Sequence, residues 1–400
     1  MAGHPVILLF TLVPVFLATT SSLKIDVGCH APKSTDGPKG SRATPSLQLV
    51  SIYTRHGTRG PMDDFPNFPH PLSDASSWPH GQSQLTEVGR AQAYKLGSKI
   101  RSLYNGFLNE DYCENDVKAY STLTDRTLMT AQLFLAGLYP PMEYHKLDVQ
   151  IPLQPIPVYP STLDNTEVVM YPEHCPRFKK AYDQSLSDCE EEFGQNITDF
   201  MKYVQPYTGL PVANESVTSL RLSVFNMWEA LSCAKAEGLP MPNWVQNIRN
   251  PLESLMKKLF VASTSGSDEM IRLFEGMLFQ ELVKTMEAKL NGTLNPDSKI
   301  ILHSGHDLSL LGLQAILGVL EDESTYLIVD TGSALIFELH KDPVTDQAYV
   351  QVLFICGASA DLKPEDVNIP ACGSPCEFTK LKEITEKYYN ITDYKKECLI

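Results

Sequence analysis

The sequence predicts an α/β fold, in which a mixed central sheet has helices on both faces and an inserted, mainly helical cap is attached. Three segments, beginning at Leu47, Val117 and Lys299, each have the pattern of a strand, a turn and a helix. Alternation of this kind indicates a sheet that is covered on both faces. Proline-rich and helical sequence separates the second segment from the third, and this material predicts the cap.

The first segment begins with the largely apolar residues 47–53, which predict a buried strand. A turn that contains glycines and a proline follows at 54–61. Threonine is a good helix cap, and the apolar residues after Thr86 are spaced for one buried face. We therefore expect a helix between Thr86 and Tyr104.

The second and third segments repeat this pattern. Residues 117–121 predict a short strand, Thr124 or Asp125 can cap the helix that follows, and Pro140 stops that helix. Residues 300–302 predict a third strand, and an apolar helix begins at Leu308.

The remaining sequence completes the predicted organisation. We expect residues 46–150 and 261–400 to form the α/β core, and residues 151–260 to form the cap. The cap sequence predicts several helices, broken at Pro206, Gly209, Pro211 and Pro240. Residues 334–340 and 348–355 alternate like strands, which predicts a hairpin on the sheet edge.

Composition and the first residues indicate the compartment. The 400 residues include 33 Lys+Arg and 48 Asp+Glu, a formal net charge of −15, whereas a nucleic-acid binder needs a broad basic face. Residues 1–22 have the short apolar run and small polar residues of a secretory signal peptide. No later apolar stretch reaches the length of a membrane span. We therefore expect a secreted protein without a membrane anchor.

Cysteines and glycosylation motifs agree with an oxidising compartment. The nine cysteines show no paired C-x-x-C spacing, and Cys372 with Cys376 is the best local disulfide pair. The odd count leaves at least one thiol free or intermolecular. Four N-x-S/T motifs predict glycosylation at Asn196, Asn214, Asn291 and Asn390.

Charged and imidazole side chains follow all three predicted strands. The first strand is followed by Arg55, His56 and Arg59, the second by Arg126, and the third by His306 and Asp307. Because ligands of open α/β sheets bind beyond the carboxyl ends of strands, we expect these side chains to meet. Guanidiniums present paired donors that suit phosphate oxygens. The sequence therefore predicts an anion site for a phosphoryl group.

A zinc site is the alternative, because His303 and His306 have H-x-x-H spacing. Three nearby arginines would repel the ion. Residues 301–303 also have the pattern of a strand, in which His303 can simply be a buried and hydrogen-bonded histidine. We therefore expect no metal.

A motif match extends this interpretation. Residues 55–61, Arg-His-Gly-Thr-Arg-Gly-Pro, match the R-H-G-x-R-x-P signature of histidine acid phosphatases, and His306-Asp307 matches their later H-D pair. Further stretches that resemble this family are 84–89, 124–127, 175–178 and the pair Cys372 and Cys376. The resemblance extends over residues 46–398, and the chain is similar to secreted animal acid phosphatases of the prostatic, lysosomal and insect venom types. It implies a phosphoglycerate-mutase-like fold.

The resemblance also implies a role for each residue of the predicted anion site. His56 would be the nucleophile that forms a phosphohistidine, and Asp307 the general acid. The residues that would hold the phosphoryl oxygens are Arg55, Arg59, Arg126 and His306. No metal or other cofactor is implied, and a general acid that must be neutral in the first step implies activity at acidic pH.

Disulfides Cys175–Cys398 and Cys372–Cys376, and a homodimer, are implied by the same resemblance. The chain departs from the family at Ser333, where relatives have the cysteine that pairs with the counterpart of Cys233. Cys233 therefore pairs elsewhere or stays free. The other cysteines stay unassigned, namely Cys29, Cys113, Cys189 and Cys356.

We predict a secreted acid phosphatase that acts on small phosphate monoesters or phosphoproteins, in the extracellular space or in the lumen of a lysosome or venom gland. One alternative is a phytase-like or inositol-polyphosphate phosphatase, which would need a wide cationic pocket. Another, of a different class, is a non-catalytic secreted binding protein on a phosphatase scaffold. His56 and Asp307 are both present, which favours an enzyme.

Overall fold

The computed structural model describes residues 39–140, 153–320 and 328–399, so the predicted signal peptide, residues 1–22, lies outside the described residues. The described strands are β1 (Leu47–Arg55), β2 (Val117–Ser121), β3 (Tyr159–Pro160), β4 (Ile300–Gly305), β5 (Ala334–Lys341), β6 (Ala348–Ile355), β7 (Pro364–Asp366) and β8 (Cys376–Glu377). They form one sheet in the order β3-β2-β4-β1-β5-β6-β7, with β8 paired to β6.

The sheet is mixed, as predicted. Strands β1 and β2 both run parallel to β4, and β3 runs parallel to β2. Strand β5 is antiparallel to β1 and forms the predicted hairpin with β6. The short strands β7 and β8 pair with β6 outside this hairpin. The parallel strands therefore place their carboxyl ends along one edge of the sheet.

The described helices are α1 (Glu87–Leu103), α2 (Asp125–Leu138), α3 (Glu167–Met170), α4 (Pro176–Thr208), α5 (Val217–Glu237), α6 (Asn243–Thr264), α7 (Asp268–Leu290), α8 (Asp307–Ile316), α9 (Phe378–Tyr389) and α10 (Tyr394–Glu397). Helix α1 begins as predicted, because Thr86 Oγ1 accepts a hydrogen bond of 3.1 Å from the backbone N–H of Gly89. Thr124 is the N-cap residue of α2.

Helices cover both faces of the sheet. On one face, Ile52 of β1 lies in an apolar cluster with Phe134 of α2. On the other face, Tyr53 lies in a cluster with Phe279 of α7 and Leu310 of α8. Successive residues of a strand point to opposite faces, so β1 contributes to both cores. The predicted fold class is confirmed.

The segment predicted as the cap is mainly helical, but Pro206 does not break it. Helix α4 continues through Pro206 to Thr208 and ends at Gly209, which has a φ of 71°. Pro206 lies in the last turn, where the missing N–H costs α4 one backbone hydrogen bond, and glycine adopts the left-handed conformation without steric cost. Helix α6 likewise continues past residue 260 to Thr264. The division between core and cap stays a prediction.

Both predicted disulfides are present. Cys175 bonds to Cys398, and Cys372 bonds to Cys376. Cys113 is also disulfide-bonded. The cysteines that carry free thiols are Cys189, Cys233 and Cys356. Cys233 is expected either to pair with another cysteine or to stay free, and in the structure its thiol is free.

Two further findings concern the predicted glycosylation and the predicted lack of a membrane anchor. The asparagines of the four glycosylation motifs are all exposed, at positions 196, 214, 291 and 390. Among the helices of the described ranges, none combines the length and the apolar composition needed to cross a membrane.

Candidate active site

The loop after β1 is held at the carboxyl edge of the sheet by backbone hydrogen bonds. The N–H of His56 donates to the carbonyl of Gly305, at the end of β4, over 3.0 Å. The carbonyl of His56 accepts a hydrogen bond of 3.0 Å from the N–H of Gly332, shortly before β5. His56 is therefore fixed between two neighbouring strands.

Gly57 lets this loop approach helix α1. A Cβ atom at Gly57 would lie 2.3 Å from the carbonyl oxygen of Gly89, far inside van der Waals contact. The N–H of Gly57 also donates to Thr130 Oγ1 of α2 over 3.2 Å. Any side chain at position 57 would push the loop away from both helices, and this is why the motif has glycine after the histidine.

The His56 imidazole is neutral and has one free nitrogen. Its Nδ1 lies 2.9 Å from the carbonyl oxygen of Gly57. A carbonyl can only accept a hydrogen bond, so Nδ1 carries the proton and Nε2 keeps its lone pair. Burial, followed by the positive charges of Arg59 and Arg55, holds the pKa of His56 well below its ordinary value. His56 therefore offers a nucleophilic nitrogen even at acidic pH.

The structure brings together all six side chains predicted for the anion site. The charged or imidazole groups that lower the pKa of His56 are Arg59, Arg55, His306 and Arg126. The rings of His56 and His306 meet edge to face, with their centroids 5.6 Å apart. Burial and Arg59 together lower the pKa of Arg126 to about 10.

Each of the three arginines has a hydrogen-bond donor without an acceptor in the described part of the chain. Among the described residues, the Nε atoms of Arg55, Arg59 and Arg126 are buried without a hydrogen-bond partner. Buried donors without partners are costly, and so is the mutual repulsion of three guanidiniums. A bound anion with several acceptor oxygens would remove both costs.

His306 and Asp307 lie where β4 turns into α8. His306 Nε2 lies 3.0 Å from Thr122 Oγ1, which follows β2, and burial lowers the pKa of His306 to about 4. Asp307 Oδ2 forms an ion pair of 3.0 Å with Arg55 Nη2. Burial raises the pKa of Asp307, but the charges of Arg55 and His306 outweigh burial and lower it. Asp307 is therefore ionised when no ligand is bound.

Two residues of α5 that were not predicted as part of the site also reach it. Arg59 forms a buried ion pair with Glu229, whose Oε2 accepts a hydrogen bond of 3.1 Å from the N–H of Met62. The Cys233 thiol lies 3.2 Å from Glu229 Oε1. A signal for Glu229 was available, because it is a charged residue inside the apolar run 227–231, all of which is buried.

His303 lies on the face of the sheet and not in the anion site. Its ring stacks between those of Tyr53 and Tyr120, at centroid distances of 4.7 and 5.1 Å. The parallel register places these three residues side by side on β1, β4 and β2. The expected hydrogen bond is not made by Nδ1 of His303, which is buried with no partner in the described part of the chain. The two stacking contacts hold the ring in place.

The match to a family model decides the family. Residues 46–355 match the model of the histidine phosphatase superfamily (branch 2). The chain belongs to this superfamily. The predicted family resemblance is thereby confirmed.

Relatives of this histidine phosphatase include lysosomal acid phosphatase of Bos taurus, which is 30% identical over 360 residues that cover 88% of the chain and 80% of the relative. Prostatic acid phosphatase of Rattus norvegicus is 31% identical over 362 residues, 88% of the chain and 89% of the relative. Among solved structures, the phytase of Citrobacter braakii superimposes with a TM-score of 0.62 at 17% identity, covering 89% of this chain and 99% of that one. This last similarity shows the shared fold.

Proposed function

We propose that this histidine phosphatase is an acid phosphatase that hydrolyses phosphate monoesters through a phosphohistidine on His56. One observation carries the proposal, namely a neutral His56 whose Nδ1 is bound to Gly57 and whose free Nε2 lies among three arginines. Relatives named acid phosphatases, at 30 and 31% identity over most of the chain, support it.

The first step is binding of the phosphate dianion. The groups that would donate to its oxygens are Arg55, Arg59, Arg126 and His306, which surround His56. The whole chain has a net charge of −15, but close charges in a buried site outweigh distant, screened ones. The same donors would stabilise the charge that develops on the oxygens as the phosphoryl group is transferred.

The second step is transfer of the phosphoryl group to His56. Nε2 attacks phosphorus, the bond from phosphorus to the ester oxygen breaks, and that oxygen takes a proton from Asp307 as the alcohol leaves. The products are an alcohol, an Asp307 carboxylate and a phosphohistidine. Such covalent catalysis divides one difficult displacement into two easier ones.

The third step is hydrolysis of the phosphohistidine. A water molecule attacks phosphorus while its proton passes to the Asp307 carboxylate, and the bond from phosphorus to Nε2 breaks. Inorganic phosphate leaves, His56 returns to its neutral form and Asp307 is protonated again. One carboxyl thus serves first as acid and then as base.

The ion pair between Asp307 and Arg55 explains why substrate binding prepares the acid. Without a ligand, Arg55 stabilises the Asp307 carboxylate. A bound phosphate dianion takes up the charge of Arg55 and adds negative charge beside Asp307, and both changes raise the pKa of Asp307. Acidic pH then supplies the proton while His56 stays neutral, so activity is highest at acidic pH.

We further propose that the protein is secreted, glycosylated and active on small phosphate esters or phosphoproteins. The apolar run within residues 1–22 and the four exposed asparagines of the glycosylation motifs support the first two points. The extracellular space and the lumen of a lysosome are the compartments that fit these features. The homodimer stays a prediction from family resemblance.

A panel of phosphate esters assayed from about pH 4 to pH 8, with and without a chelator, tests the proposed function. We expect hydrolysis of aryl and alkyl phosphates with an acidic optimum that the chelator does not change. Loss of activity with the chelator would contradict a mechanism in which arginines alone provide the positive charge. A strong preference for phytate over simple esters would instead support the phytase-like alternative, and no hydrolysis of any ester would support the binding protein.

A further inference from the structure

Glu275 of α7 is a carboxyl group that the proposed mechanism does not use. Its side chain is fully buried, and neither carboxyl oxygen has a hydrogen-bond donor within the described residues. It lies against α8, since a Cβ atom at Gly312 would be 2.2 Å from Glu275 Cγ. A carboxylate without donors in such a place is costly, and a proton on Glu275 removes the charge.

Asp164, between β3 and α3, is the charged group that acts on Glu275. Burial, and then the charge of Asp164, raise the pKa of Glu275 well above its ordinary value. Glu275 therefore takes up a proton more readily than an exposed carboxyl would.

Asp164 is linked in turn to the start of helix α8. Ser309 Oγ donates a hydrogen bond of 2.6 Å to Asp164 Oδ2 and accepts one of 3.2 Å from the N–H of His306. A second bond, 3.1 Å from the N–H of Thr166 to Asp164 Oδ1, fixes the carboxylate. The chain of contacts thus runs from Glu275 through Asp164 and Ser309 to the backbone of His306.

The charge of Asp164 also acts on the His306 imidazole. Burial lowers the pKa of His306, and Asp164 is the largest influence in the opposite direction. The other charged groups that act on His306 are Arg126, Asp307 and Arg59, and the neutral ring of His56 lies against it.

We propose that Asp164 and Glu275 are positioning residues that share one proton and hold His306 and Asp307 in the phosphate site. The inference rests on the proposed phosphatase function. With the proton on Glu275, the pair has one negative charge instead of two. That single charge and a bound phosphate dianion would lie on opposite sides of His306. Both favour a proton on the imidazole, which can then donate a hydrogen bond to a phosphate oxygen.

Substitutions at the two carboxyls, assayed with an aryl phosphate across pH, test this inference. Asp164→Asn removes the charge behind His306, so we expect KM to rise about tenfold and the alkaline limb of kcat/KM to move to lower pH by on the order of one unit. Glu275→Gln keeps a neutral donor to Asp164, whereas Glu275→Leu keeps the volume but removes the donor. We therefore expect the Gln variant to have the wild-type pH profile and the Leu variant to have a raised KM. Asp199→Asn, on the exposed surface of α4, is the control.

The outcomes separate this inference from the proposed function. An inactive wild-type protein contradicts the function, whereas an active wild type with an unchanged KM and pH profile in Asp164→Asn overturns the inference. Equal effects of Glu275→Gln and Glu275→Leu overturn the shared proton. Thermal unfolding shows which variants fold. If Asp164→Asn does not fold, Ser309→Ala is the second test, because it removes the hydroxyl that links Asp164 to His306. We expect this variant to raise KM and to leave the alkaline limb of the pH profile in place. An unchanged KM rejects the positioning role.

Discussion

Glu229 and Arg59 form a buried ion pair that connects helix α5 to the loop after β1. The two residues are among the most deeply buried charged residues of the site, with 5% of Glu229 and 4% of Arg59 exposed. Arg59 is also one of the three guanidiniums proposed to bind phosphate. The orientation of a phosphate-binding group therefore depends on a helix from the segment predicted as the cap.

Removing the charge of Glu229 should destabilise the protein. Glu229→Gln leaves the Arg59 guanidinium buried without its counter-ion, which costs about 3 kcal/mol of unfolding free energy. Urea unfolding measures this change. Glu253→Gln removes an exposed partner of Arg249 in α6 and, as the matched control, should cost less than about 0.5 kcal/mol. Similar losses in the two variants would contradict the importance of the buried pair.

Replacing His56 should abolish covalent catalysis. His56→Ala removes the attacking nitrogen, so we expect kcat for an aryl phosphate to fall by a factor of about 1,000 or more and phosphate labelling of the protein to disappear. His80→Ala changes a histidine that is hydrogen-bonded to Glu87 and should keep both. Near-wild-type turnover by His56→Ala would rule out the phosphohistidine.

Loss of the Asp307 carboxyl should depend on the leaving group. Asp307→Ala removes the proton donor, so we expect kcat/KM to fall by roughly 100- to 10,000-fold for alkyl phosphates, whose alcohols are poor leaving groups. Aryl phosphates should lose less, because their phenolate leaves without a proton. A plot of kcat/KM against leaving-group pKa, for wild type and variant, makes the comparison. Parallel lines would show that Asp307 is not the acid.

The buried histidines should make the protein less stable in acid. Unfolded histidines take up protons below about pH 6.5, whereas burial lowers the pKa of His303 and of His306 to about 4. Because the unfolded chain binds more protons in this window, the unfolding free energy falls as the pH decreases from about 6.5 to about 4. The raised pKa of Glu275 has the opposite effect on the unfolding free energy at pH values above the ordinary pKa of glutamate. It is a single group, so the histidines together have the larger effect.

His303→Phe tests this pH dependence without touching the phosphate site. Phenylalanine keeps the ring between Tyr53 and Tyr120 but does not titrate, so the slope of unfolding free energy against pH should become shallower by about 1.4 kcal/mol per pH unit. Urea titrations at several pH values measure it. His174→Phe, at an exposed histidine that stacks on Tyr171, is the control variant with which the slope of His303→Phe is compared. If the two variants have the same slope, the pKa of His303 does not differ between the folded and the unfolded protein, and the prediction is wrong.

The sequence predicted the parts of the fold that depend on local pattern. Strand β2 has the predicted bounds, and Thr86 caps α1 as expected, because alternation and capping are visible over a few residues. Pro206 misled the prediction, since its effect depends on how near the helix end it lies. Gly209, three residues later, ends α4.

The residues of the site likewise differ in how far local sequence pattern predicts them. His56 and Asp307 could be predicted because they directly follow strands and belong to short motifs, whereas Glu229 and Asp164 come from segments whose place over the sheet is set by tertiary packing. Glu275 is the most difficult case. No motif marks it in the sequence, and only the packing of α7 against α8 shows that its carboxyl is enclosed.

The Cys175–Cys398 disulfide closes a covalent ring of the chain, because the two cysteines are 223 positions apart. His306 and Asp307 lie inside this ring, while His56 and Arg126 lie on the segment that precedes it. A single protease cut anywhere between the two cysteines therefore opens the ring without releasing a fragment. The nicked protein would migrate as one molecule on a denaturing gel until a reducing agent separated its two pieces.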